Sequence, residues 1–214
     1  MTKSVTYQHT NTYEVVNAIT DQTKNIWICA HGLGYLATYF KKYFLHLDNR
    51  ENSFIVLQAP SKYYQGKDFK HVGASWLTRV DTQQEIGNNV NYIYEVMRAE
   101  NLMGDPRLVF FGYSQGVSIM TRLMALYNQR IQALIMHSGS IPAELNSSHA
   151  SIFRQQCDRI IHISGTQDEY VDEQVIKREN KQIDTLFGTM VEIHRPDINH
   201  KVDTDLLLQI SKTL

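Results

Sequence analysis

The sequence predicts an α/β fold, with a mostly parallel central sheet and helices on both faces. Short apolar runs alternate with helical patterns along most of the chain, the arrangement that βαβ units produce. The runs are apolar almost throughout, as strands are when helices cover both sides of a sheet. Several runs stop at glycine-containing turns that carry polar side chains, and sheets of this kind bind ligands beyond the carboxyl ends of their strands.

In chain order, Val5–Val16 sets Val5, Tyr7, Tyr13 and Val15 among polar residues around Thr10-Asn11-Thr12, which predicts a short N-terminal antiparallel hairpin. Ile26–Ala30 is a strand ending at His31-Gly32-Leu33-Gly34, and Tyr35–Leu47 a helix. Phe54–Gln58 is a strand ending at Ala59-Pro60; Ser61–Asp81 has no clear period. In Thr82–Asn101, Ile86, Val90, Ile93 and Met97 recur at steps of 4, 3 and 4, an amphipathic helix. Leu108–Phe111 is a strand and Gln115–Tyr127 a helix. Strands at Ile131–His137, Arg159–Ser164 and Met190–His194 follow, with a helix over Val171–Phe187. Val202, Leu206, Leu207, Ile210 and Leu214 space as a closing helix.

The 214 residues favour one domain spanning residues 1–214, long enough to bury a large core. Hydrophobic residues make up 43% and charged residues 20%, ordinary values for a globular chain. Lys plus Arg (21) nearly equals Asp plus Glu (22), so no charge excess points to nucleic acid or anionic membrane. Two cysteines cannot build a disulfide framework, and Cys29, inside an apolar run, reads as a small buried hydrophobe. Met1–Tyr7 has no apolar core of a secretory signal and no stretch is long enough to span a membrane, so the expected setting is reducing and cytoplasmic. The histidines are scattered without ligand spacing, so no metal is expected. No G-x-G-x-x-G follows the first apolar strand, which argues against a dinucleotide site.

The chemistry concentrates at Gly112-Tyr113-Ser114-Gln115-Gly116, a G-x-S-x-G between a strand and a helix. That context is the nucleophile elbow of α/β-hydrolases. The sharp turn strains the serine backbone, lifts its hydroxyl clear of the sheet and demands small neighbours. A serine hydroxyl needs a base to take its proton and a carboxylate to orient that base. This fold supplies them in the order Ser, Asp or Glu, His. Of nine histidines, only His194 and His200 follow the later acids. His194 lies inside a strand, whereas His200 lies in a loop after it, so His200 is the expected base. Asp168 stands just past a strand's carboxyl end and is the expected acid, with the adjacent Glu169 left open by sequence. The oxyanion needs about two fixed donors. The backbone N–H groups of Gln115 and of Leu33, on the earlier glycine-containing loop, are placed for it. His31 reads as the residue that holds that loop, because chain order excludes it as base. Aromatic and apolar residues near the strand ends, Tyr35, Trp76, Ile141 and Tyr170, are expected to line an apolar acyl site. No long insertion separates Gly139 from Arg159, so no large lid is expected.

His31-Gly32-Leu33-Gly34, Gly112-Tyr113-Ser114-Gln115-Gly116, Ser138-Gly139, Gly165-Thr166-Gln167-Asp168 and Asn199-His200, in this order over residues 26–213, resemble the phospholipase/carboxylesterase family of α/β-hydrolases. That family includes acyl-protein thioesterases and small bacterial carboxylesterases. The resemblance implies a Ser114–Asp168–His200 triad, an oxyanion hole of Leu33 and Gln115 N–H groups, and hydrolysis of short to medium acyl esters or thioesters without a cofactor. The family often has a second glycine where this chain has Val117, and a proline where it has Glu169. The expected activity is that of a carboxylesterase on a small acyl ester. The alternatives are an acyl-protein thioesterase or lysophospholipase with the same triad, or a catalytically silent binder on the same fold.

Overall fold

The computed structural model describes residue 1 and residues 3–214. The elements in chain order are β1 (Tyr13–Val16), β2 (Asn25–Ala30), α1 (Ala37–Phe40), β3 (Asn52–Leu57), β4 (Ser61–Gln65), β5 (His71–Ser75) and α2 (Thr82–Ala99). They continue with β6 (Leu108–Tyr113), α3 (Gln115–Leu126), β7 (Ile131–His137), α4 (Ala150–Gln156), β8 (Cys157–Ile163), α5 (Glu173–Leu186), β9 (Val191–His194) and α6 (Thr204–Ser211). The main sheet has seven strands in the order β1-β3-β2-β6-β7-β8-β9. Within it, β1 runs antiparallel to its neighbour and the other pairings are parallel.

The two faces of the sheet are covered by different helices, and the apolar strands explain why. Along β2, Ile26, Ile28 and Ala30 join the cluster that includes Ile93 and Met97 of α2, Met120 and Leu123 of α3, and Ile183 of α5. Trp27 and Cys29 face the opposite cluster, with Phe40 of α1 and Leu207 and Ile210 of α6. In β6, Leu108 and Phe110 take the first face and Val109, Phe111 and Tyr113 the second. A strand buried on both sides has no polar face to show, hence the unbroken apolar runs.

Aromatic rings fill the second face. Phe44 stacks on Phe54 at 4.8 Å between ring centroids and meets Phe111 edge-on at 5.6 Å. Phe44 is fully buried on a 3₁₀ turn, Lys41–Phe44, that continues α1. Replacing Phe44 with Ala is expected to lower stability by about 3–5 kcal/mol, the range for emptying a buried aromatic site. A urea denaturation midpoint unchanged from the parent protein would contradict this packing.

The N-terminal strand is antiparallel as predicted, but its partner is not the preceding segment. Tyr13 lies opposite Leu57 and Val16 opposite Phe54 of β3, and residues 3–12 form no strand. Every residue of β3 is buried, whereas Val5 and Tyr7 are exposed. Pairing on the buried sheet gains a packed face that an isolated two-stranded ribbon lacks. The predicted helix over 35–47 is also shorter, one α-helical turn followed by the 3₁₀ turn. The segment without a clear period, 61–81, contains a two-stranded hairpin, β4 against β5, with Tyr63 opposite Gly73. All of β4 is at least partly exposed, so no apolar alternation marks it. Between β7 and β8 lie a 3₁₀ turn and the seven-residue α4, held by buried Phe153. No large lid is built there.

Strand order decides where a ligand can sit. From β2 the chain goes to β3 on one side; from β6 it goes to β7 on the other. β2 and β6 are neighbours, Ala30 opposite Gly112. The crevice beyond their carboxyl ends is therefore the switch point of the sheet, the place where open α/β sheets bind ligands.

Candidate active site

Ser114 stands at that switch point, between β6 and α3, with φ 52° and ψ −117°. The positive φ is a strained conformation for a residue with a side chain. It survives because the surroundings fix it. The Ser114 N–H donates to the His137 carbonyl at 2.9 Å, and the Ser114 carbonyl accepts from Val117 N–H at 3.0 Å. Gly116 is required by close approach: a methyl group there would lie 2.1 Å from the Ala30 carbonyl oxygen. The helix starts at Gln115, so its unpaired N–H groups and positive dipole end point toward the serine.

Asp168 lies on the turn after β8 and is buried. His200 lies on the loop after β9. The two turns are sewn together: Thr166 N–H donates to Pro196 O at 2.9 Å, and Gln167 N–H to Ile198 O at 3.1 Å. A methyl group on Gly165 would reach within 2.2 Å of Ile198 O, so only glycine permits this contact. As a result His200 Nδ1–H donates to Asp168 Oδ2 at 2.8 Å. The other carboxylate oxygen, Oδ1, accepts the Tyr170 N–H at 3.0 Å. With Nδ1 protonated, Nε2 is the acceptor, and it lies 3.0 Å from Ser114 Oγ. Glu169, left open by sequence, serves elsewhere, its Oε2 accepting the His200 backbone N–H at 3.3 Å.

Several supporting contacts carry no sequence signal. Tyr113, the variable position before the serine, donates its hydroxyl to the His200 carbonyl at 3.0 Å. Burial pushes the Tyr113 phenol well above its ordinary pKa, so it remains a donor. The Tyr170 ring stands edge-on to the His200 imidazole, 4.7 Å between centroids. The Gln115 side chain accepts from Trp76 N–H (2.9 Å) and donates to Leu77 O (2.8 Å), tying the elbow to the segment after β5.

His31 holds its loop. Its Nδ1–H donates to Gly32 O at 2.8 Å, and Nε2 accepts from Ala59 N–H at 3.1 Å. Burial pulls its pKa down to about 4, which keeps the ring neutral and able to accept. The β4–β5 hairpin clamps the same loop: Gly34 N–H donates to Ala74 O (2.9 Å), and Gln65 Nε2 to Gly34 O (2.9 Å). A methyl group on Gly32 would sit 3.0 Å from Ser114 Cβ, so the loop passes directly over the serine. Among the described residues, neither the Leu33 nor the Gln115 N–H is taken by a loop hydrogen bond.

These groups line one open cleft of about 690 Å³. Ser114, Asp168, His200, Leu33, Gln115, Tyr35 and Tyr170 border it. Leu33 (55% exposed) and Tyr170 (69%) form its rim. Trp76 and Ile141, expected at the acyl site, do not line it. Trp76 is fully buried beneath the loop, and its indole N–H donates to His31 O at 2.8 Å. Ile141 turns into the core. An apolar residue near a strand end can face either way, and for these two the core offers the larger apolar surface. Among the described residues, no helix is long and apolar enough to cross a membrane.

The fold and the cleft can be compared with known proteins. Residues 11–214 match the phospholipase/carboxylesterase family. The chain belongs to that family. Membership in the phospholipase/carboxylesterase family assigns this chain to the hydrolases. The crystal structure of Zea mays acyl-protein thioesterase 2 superposes with a TM-score of 0.72 at 15% identity, over 95% of this chain and 97% of that one. A carboxylesterase from Mesorhizobium loti gives 0.68 at 15% identity, over 90% of each chain. A phospholipase/carboxylesterase from Dyadobacter fermentans gives 0.65 at 16% identity, over 97% and 98%. At such identities the likeness establishes the α/β-hydrolase fold that the family shares. No curated protein sequence matches the chain.

Proposed function

We propose that this phospholipase/carboxylesterase-family chain is a serine hydrolase that cleaves short to medium acyl carboxylic esters through an acyl-serine. The observation that carries the reading is the continuous relay from Ser114 Oγ to His200 Nε2 (3.0 Å) and from His200 Nδ1 to Asp168 Oδ2 (2.8 Å). His200 takes the Ser114 proton as Oγ attacks the acyl carbon. Asp168 holds the imidazole in the required tautomer and stabilises its cation. The oxyanion forms against the Leu33 and Gln115 N–H groups. His200 returns the proton to the departing alcohol or thiol. Water, activated by His200, then releases the acid and restores the serine. The chain's own groups supply every proton transfer and no cofactor enters the scheme.

A thioester is attacked by the same steps, and the neighbour from Zea mays named an acyl-protein thioesterase supports keeping that second reading. The open cleft, without a large lid, admits either leaving group. Comparing kcat/KM for matched p-nitrophenyl esters and acyl thioesters ranks the two. The activated serine has its own test. A fluorophosphonate probe is expected to form a covalent adduct that peptide mapping places on Ser114. A folded protein that resists the probe would refute the relay and leave a binder on a hydrolase fold.

A further inference from the structure

The cleft has a polar corner that the acyl-transfer scheme does not use. Glu179 of α5 borders the cleft although its residue is only 7% exposed. Its Oε1 accepts the Ser140 hydroxyl at 2.6 Å. Its Oε2 has no hydrogen bond from the described residues; the His162 ring nitrogen Nε2, at 4.0 Å, is beyond bonding range. His162 is buried on β8 and its pKa is pulled down to about 4, so it brings no positive charge. Arg195 stands behind His162, its guanidinium donating to Nδ1 at 3.4 Å. Arg178 and Arg195 offset part of the Glu179 charge through space, but neither borders the cleft.

A carboxylate in this position is held at a cost. Burial raises the Glu179 pKa above the ordinary carboxylate value. An acceptor left without a donor in such a place gains by receiving one, most of all a charged one. The rest of the lining has the same sign. Asp168 and Glu169 border the cleft, and among the described residues no Lys or Arg does. Val171 and Val175 supply an apolar wall. An amphipathic cation fits that surface: an alkyl chain on the valines and an ammonium on the free oxygen.

We propose that Glu179 is a specificity-determining residue that selects substrates carrying a protonated amine over isosteric carboxylates. The inference rests on the esterase reading and names the substrate class for that same cleft.

Competition against p-nitrophenyl butyrate hydrolysis at neutral pH tests it, with n-hexylammonium, n-hexanol and hexanoate as six-carbon probes of one length. The expected inhibition constant of n-hexylammonium is at least tenfold below that of n-hexanol, with hexanoate the weakest. In Glu179→Gln the ammonium advantage over hexanol disappears, whatever happens to turnover itself. Equal inhibition by the three probes in the unmodified protein overturns the proposal, so the test stands even if the variant does not fold. An unchanged ammonium preference in a folded Glu179→Gln protein also overturns it. Absence of butyrate hydrolysis would instead strike the esterase reading, a separate outcome.

Discussion

Ser114→Ala is expected to reduce kcat on p-nitrophenyl butyrate by about 10⁴-fold or more, with the denaturation midpoint close to that of the parent protein. Oγ is the only heavy atom removed. The elbow keeps its backbone bonds, since Ser114 N–H and C=O are engaged with His137 and Val117. Alanine inherits the same positive φ and a similar strain. What is lost is the proposed nucleophile, the hydroxyl that His200 Nε2 meets at 3.0 Å. The Leu33 and Gln115 N–H groups proposed to hold the oxyanion remain, so a small residual rate is expected. His200→Ala should lose a comparable amount. The double variant should be scarcely worse than either single one, because the groups act as a unit. Steady-state kinetics on the three purified variants checks this, and substantial turnover by Ser114→Ala would remove the serine from the mechanism.

Acidification should unfold the protein well before its carboxylates are fully protonated. Burial pulls His31 and His162 down to about 4 and His137 to about 3, against an ordinary imidazole value near 6.5. Each ring is neutral in the fold and accepts or receives specific bonds; His137 Nε2, for example, accepts from Asp203 N–H at 2.9 Å. In the unfolded chain the same rings bind protons as pH drops below about 6.5. Between that pH and about 4 the unfolded state therefore holds more protons than the folded one. Stability is full above about pH 6.5, rises with pH inside the window, and is lost as pH falls through it. At about 1.4 kcal/mol per proton per pH unit, three rings lose on the order of 6 kcal/mol by about pH 5. That is comparable to the whole stability of many domains. Urea unfolding at a series of pH values should give a slope near three protons at about pH 5. A slope below about one proton would mean that the rings are reached by water in the fold.

The sequence is most legible where one physical demand dominates a position. Strands covered on both faces must be apolar throughout, so Ile26–Ala30 and Leu108–Phe111 are visible as runs. The elbow is visible because a strained serine between strand and helix needs small neighbours, and Gly116 proves to lie against the Ala30 carbonyl. The order Ser, Asp or Glu, His, read with the siting of loops at strand ends, points to positions 114 and 200 and narrows the acid to 168 or 169 without any distance.

Other features are silent for equally physical reasons. β4 and β5 pair with each other at the surface and bury no continuous face, so no alternation betrays them. Yet they clamp the His31–Gly34 loop. β1 reads as one arm of a local hairpin because pairing leaves the same pattern whether the partner is near or distant in sequence. Trp76 and Ile141 are apolar residues near the right strand ends, but facing direction is a matter of packing. Tyr113 and Glu179 border the cleft and are fixed by hydrogen bonds to remote segments, at separations of 87 and 39 residues, which no local pattern records.

By itself, then, the chain determined most of its strands, its two-faced core and, of the side chains that meet, the serine, the histidine and a choice of two adjacent acids, because burial and backbone strain restrict which residues each such position tolerates. Tertiary structure decided the rest: which acid meets His200, the partner of β1, the hairpin over the His31–Gly34 loop, the inward turn of Trp76, and the free carboxylate oxygen of Glu179 in the cleft. Those depend on which distant surfaces come into contact, and contact is a property of the assembled fold rather than of any stretch of sequence.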